Sequence, residues 1–169
     1  GFRHCFMRPA GTEPTNCPHC KGHDAHERVA LLVNTLHSGV AAAGHGQRLL
    51  AWPYSAFVWS RDDATDSRWI THLQPGVEVL SNFDCGDADP AHPDGGWLFD
   101  YNVRMTGPSS RFAAQAAACR ERGLPILAKT ETNTTPDTFF LPYLPLPFRW
   151  HARFQAIRES GAAGFVGQW

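Results

Sequence analysis

Several things are scarce in this sequence, and each scarcity removes a class of protein. Charge of one sign is scarce: 15 Lys and Arg stand against 16 Asp and Glu, a net charge of -1. A balance this even leaves no electrostatic footprint for nucleic acid or for an acidic membrane surface, so neither is expected as a partner. Long apolar runs are missing too, and nothing approaches the roughly 20 residues of a membrane-spanning helix. No glycine-rich phosphate loop follows any strand-like segment, which leaves a nucleotide-binding α/β fold without support. Cysteines number five, an odd count that fits neither a disulfide scaffold nor a clear secretory habit. An initiator Met is also lacking. The chain runs from Gly1 to Trp169, where it stops straight after a strand-like run, and we expect a piece of a longer protein.

What is present is an alternating rhythm. Asp24-Ala25-His26-Glu27 has the spacing of a capping box. The helix it opens should run through Val29, Leu32, Val33, Leu36 and Val40 as core positions and stop at Gly44, with His37 a boundary histidine. Arg48 to Tyr54 reads as a strand ending in aromatics, extended by Ser55 to Ser60. Asp62, Asp63 and Asp66 suit the start of a short helix through Trp69 and Leu73. Val77 to Asp84 is a second strand that ends in polar residues. A long loop follows, rich in Pro, Gly and Asp, and Trp97 to Arg104 alternates like a strand extension. Ser109 opens an Ala-rich helix closing at Gly123, with Cys119 as a small core residue. Ile126 to Thr135 is a third strand. Three prolines between Pro142 and Pro147 then forbid regular structure. Phe148 to Ser160 is an amphipathic helix with Trp150, Phe154 and Ile157 inward, and Ala163 to Trp169 a final strand.

Four helix–strand repeats of this kind point to an α/β fold of parallel βα units. Their number is about half of a TIM-type (β/α)8 barrel. An open doubly wound sheet is the alternative. The whole chain, residues 1–169, is expected to form one partial barrel domain, with residues 1–23 a Cys/His-rich loop.

The chemistry concentrates where strands end, since βα architectures bind ligands outside the carboxyl ends of their strands. Lys129, Glu131 and Asn133 are spaced by two and share one face of their strand. Asn82 and Asp84 share a face on theirs, and Asp84 is the second carboxylate of interest. Trp52 and Tyr54 would offer aromatic faces to the C–H face of a pyranose, and Gln168 and Trp169 reach the same rim.

Cys17-Pro18-His19-Cys20 admits three readings. One is a structural zinc site with Cys5, Cys17 and Cys20 as thiolates and His23 or His4 as fourth ligand. Another is a thiol-disulfide active site, although such a motif should follow a strand and open a helix, and here a Pro/Gly-rich loop precedes it. The third is a loop held by one disulfide, or free thiols.

The strand ends Ala51-Trp52-Pro53-Tyr54, Ser81-Asn82-Phe83-Asp84, Lys129-Thr130-Glu131-Thr132-Asn133 and Gly167-Gln168-Trp169 look like the second half of a glycoside hydrolase barrel. The loop Asn16-Cys17-Pro18-His19-Cys20 resembles uncharacterised bacterial proteins related to family 20 hexosaminidases. It is also similar to endo-acting glucosaminidases with a comparable barrel. This resemblance implies that the chain supplies strands five to eight and that its ligand is a carbohydrate, with no cofactor required for chemistry. It places Glu131 at the strand-seven position, as nucleophile or charge stabiliser, with the acid/base on the rest of its own barrel upstream. The His-x-Gly-Gly-Asp-Glu motif of family 20 does not occur in this sequence. A non-catalytic carbohydrate-binding barrel would keep the same aromatics.

Overall fold

The computed structural model describes residues 18, 21–54, 66–84, 87–88, 97–98, 104–131 and 145–168. Helix α1 spans Ala25–Ala43 and starts with the expected capping box: Glu27 N–H donates to Asp24, and Asp24 N–H donates to the Glu27 carboxylate. Gly44 closes it at φ 73°, left-handed backbone that glycine adopts without a Cβ clash. Two-residue strand β1 (Leu50–Ala51) follows, then a 3-10 helix over Arg68–His72, then β2 (Glu78–Asn82). A small antiparallel pair, β3 (Asp87–Ala88) with β4 (Trp97–Leu98), interrupts the rhythm before α2 (Ser110–Arg122). Ser109 caps α2 by accepting from Phe112 N–H, and Gly123 ends it. Strand β5 (Ile126–Glu131), helix α3 (Pro147–Glu159) and strand β6 (Gly164–Gln168) complete the order.

Strands β1, β2, β5 and β6 form one sheet, in that order and parallel throughout. Each neighbour in space is the next strand of this sheet in sequence, as expected for successive βα units. The α/β class with parallel βα units is therefore correct.

One core lies between the helices and one face of the sheet. Val29 and Ala30 of α1, Trp69 and Ile70 of the 3-10 helix, Phe112 and Cys119 of α2 and Ile157 of α3 meet Ala51, Val79, Ile126 and Ala128 there. Phe83 packs edge-on against Phe112, ring centroids 5.0 Å apart. Burial of each such large apolar side chain contributes about 1.5–3 kcal/mol.

Alternation along the strands sends the other residues to the opposite face: Leu80 and Asn82 on β2, Leu127, Lys129 and Glu131 on β5. Register sets them side by side, Leu80 with Leu127, Asn82 with Lys129, Lys129 with Val166 and Glu131 with Gln168.

Two helix faces differ from expectation. Leu32 and Leu36 are exposed, and α1 turns Ala25, His26, Val29 and Ala30 inward instead. On α3 the inward residues are Arg153 and Ile157, while Phe154 lies at the surface against Phe165 of β6, centroids 5.1 Å apart. In both helices apolar periodicity identified a stripe but not which edge of it the sheet covers. The short helix near Trp69 exists, but Asp66 does not cap it. Ser67 precedes it, and Asp66 is buried at φ 53° with its carboxylate 3.0 Å from Arg111. Asp tolerates that left-handed conformation better than most residues.

Candidate functional site

The carboxyl ends of β1, β2 and β5 bring Trp52, Asn82, Lys129 and Glu131 to one rim of the sheet. Trp52 leaves β1 with its indole N–H donating to Asn82 Oδ1 at 2.7 Å. That bond fixes the ring plane, and Tyr54 braces it edge-on at 5.0 Å. Lys129 Nζ lies 5.6 Å from the centroid of the Trp52 ring, within cation–π range. Trp52 and Tyr54 remain 39% and 41% exposed, so an oriented aromatic surface faces outward, whereas Asn82, Lys129 and Glu131 are buried. The arrangement can stack a flat or C–H-rich ligand on the exposed part of the indole, with an amide, an ammonium and a carboxylate buried at the same rim.

Asp84 takes a different part. β2 ends at Asn82, and Phe83 and Asp84 lie in a turn, so strand alternation no longer sets the direction of the Asp84 side chain. Its Oδ2 is 3.1 Å from Arg153 Nη1, both side chains being fully buried. The same Arg153 nitrogen donates to Thr130 Oγ1 at 3.2 Å. Thr130 points to the helix-covered face, opposite to Lys129 and Glu131. Arg153 also stacks on Trp150, 5.1 Å from its ring centroid. Asp84 is thus engaged by the helix layer.

Asn133 and Trp169 lie outside the described residues, and of Gln168 only the backbone, paired with Glu131 on β6, is described. Cys5, Cys17 and Cys20 also lie outside them. His23 stands exposed ahead of α1, its Nδ1 3.4 Å from Glu27. Among the described residues no group of three His, Cys, Asp or Glu could hold a metal ion.

Sequence reasoning missed a second buried polar cluster. Asp66 pairs with Arg111, its backbone carbonyl accepts from Gln115 Nε2 at 3.0 Å, and His26 Nδ1 lies 3.9 Å from its Oδ1. It ties the first turns of α1 and α2 together. The signal was an arginine and a glutamine on the apolar side of an Ala-rich helix, but their partner lies 45 and 49 residues earlier in sequence.

No protein family, curated protein or solved structure matches the chain.

Proposed function

We propose that this chain is the carbohydrate-recognising portion of a glycoside hydrolase of the (β/α)8 type, with β1, β2, β5 and β6 as strands five to eight. The observation that carries the reading is the Trp52 indole, held by Asn82, close to Lys129 and 39% exposed. Two features of the fold support the barrel half: strands adjacent in sequence order, and helices that all contribute to a core on one face.

A pyranose lying against the exposed part of Trp52 sits at the rim that also holds Asn82, Lys129 and Glu131. Glu131 is then the carboxylate for the anomeric centre, as nucleophile or as stabiliser of the oxocarbenium charge. Proton donation to the leaving group needs a second carboxyl. Asp84 is held by Arg153, so that role falls to the half of the barrel preceding these strands. The chain by itself therefore binds sugar without turning it over.

The test is hydrolysis of aryl glycosides by a polypeptide carrying both barrel halves, with and without Glu131→Gln. A fall of about 10²–10³-fold in kcat with KM little changed supports the assignment. Full activity in Glu131→Gln refutes a catalytic Glu131. The Asp84–Arg153 pair favours a second reading, a barrel that binds carbohydrate without cleaving it. That reading is distinguished by sugar affinity that survives Glu131→Gln in a protein inactive on every glycoside.

A further inference from the structure

The buried residues of α1 all lie in its first two turns, between Ala25 and Ala30. Beyond them the apolar stripe continues through Leu32, Val33 and Leu36, where the helix leaves a hollow of about 220 Å³ between itself and the edge strand β1. Leu49 and Leu50 form the strand side of this hollow, and Trp69 of the 3-10 helix lines it too. Apart from two indole N–H groups, every side chain that lines it is apolar. Leu32, Leu36 and Leu50 stay exposed around it, so apolar surface is left open in one patch. Trp52 and Pro53 also line the hollow, which thereby reaches the rim where the Trp52 indole is exposed.

From this continuity we infer that the hollow takes the unbranched alkyl aglycone of a glycoside whose sugar lies against Trp52. The inference rests on the carbohydrate reading above and names the other part of its ligand. Size supports one arm of a ligand rather than a whole one, since sites that enclose a drug-sized molecule take roughly 300–1,000 Å³. Spread along the roughly 10 Å of helix from Val29 to Leu36, the volume has a mean cross-section of about 20 Å². That admits a single alkyl chain and is too thin for a second pyranose. The walls exclude a second sugar on chemical grounds as well, because its hydroxyls would be buried without partners. For an alkyl chain the same walls are favourable, and moving two methylenes out of water already tightens binding about tenfold.

The Trp69 indole is the reporter, being 1% exposed with no hydrogen-bond partner for its Nε1 among the described residues. The chain is titrated with methyl and octyl N-acetyl-β-glucosaminide, the octyl compound below its micelle concentration, and with 1-octanol. The octyl glycoside should bind at least about tenfold tighter than the methyl one. Of the two glycosides, only the octyl one should shift the Trp69 indole resonance. In the double variant Leu32→Gln with Leu36→Gln, both at exposed positions, most of that gain should be lost. Equal affinity of the two glycosides overturns the inference and leaves the carbohydrate reading intact. A gain that persists in the double variant with Trp69 unmoved also overturns it, since the tail is then bound elsewhere. Loss of the Trp69 response in a polypeptide carrying both barrel halves does the same, because the preceding half then fills the hollow. A Trp69 shift with octanol, in a chain that binds neither glycoside, counts instead against the carbohydrate reading and removes the glycoside ligand with it.

Discussion

Arg153 of α3 reaches across the helix layer to stand 3.1 Å from Asp84, at the end of β2, two strands away from the β6 that follows it in sequence. One guanidinium thereby links the turn after β2, Thr130 on β5 and the carbonyl of Met105. The pair closes the helix-facing side of the rim and leaves the other side to Trp52, Lys129 and Glu131.

Removing one member of that pair strands a buried charge. Asp84→Ala and Arg153→Met are each expected to destabilise the chain by about 3–5 kcal/mol in urea denaturation. The double replacement Asp84→Leu with Arg153→Met should recover most of the loss, since neither charge is then left without its counterpart. Loss in Arg153→Met and in the double variant, with Asp84→Ala nearly unchanged, would show instead that the ion pair contributes little and that Arg153 acts through its other contacts, among them Trp150.

On the proposed carbohydrate reading, Asn82 acts on ligands through Trp52. Asn82→Ala removes the acceptor of the indole N–H and lets the ring turn, so sugar affinity should fall about tenfold, equivalent to about 1.4 kcal/mol. Stability should fall by only about 0.5–1.5 kcal/mol. Calorimetric titration beside a denaturation curve separates the two effects.

Much of this fold was legible because its signals are local. The capping box at Asp24, the glycines at 44 and 123 and the apolar run from Ile126 each act within one turn or strand, and the elements start and stop where those residues direct. The rim was legible for a similar reason, since period-two spacing put Lys129 and Glu131 on one face wherever the strand lay. The direction of the Asp84 side chain was not legible because it depends on where β2 stops. Its partner Arg153 was hidden because a buried ion pair joins residues far apart in sequence. Exposure of Leu32 and Leu36 was equally hidden, because composition shows an apolar stripe but not what covers it.

Cys119 provides a test of the core. Burial pushes its thiol up to about 12, so the nucleophilic thiolate is scarce at neutral pH. Reaction of Cys119 with a thiol reagent should be slow in the folded chain and become fast in denaturant, read by mass spectrometry of the peptide that contains it. Rapid labelling under native conditions would contradict the packing of α2 against the sheet.

Asp24 supplies a pH dependence. Burial raises its carboxyl, but the Glu27 N–H bond and the charge of Arg68 outweigh that and leave it below the ordinary 3.8. A depressed folded-state value means the stabilisation is present above the unfolded value and is lost as pH falls through the folded one. Asp24→Ala should cost about 0.5–2 kcal/mol at pH 7. Its gap from the parent chain should narrow as pH drops below about 4, which thermal melts at pH 7 and pH 3 would measure.

The central claim is that the strand-end rim around Trp52 binds carbohydrate, and its most direct measurement is the nitrogen–proton NMR spectrum of the chain titrated with chitotriose. The Trp52 indole resonance and the backbone amides of Asn82, Lys129 and Glu131 should shift together and saturate, while the buried Trp69 indole stays still. No shift at millimolar sugar, or shifts confined to residues away from this rim, would contradict the account.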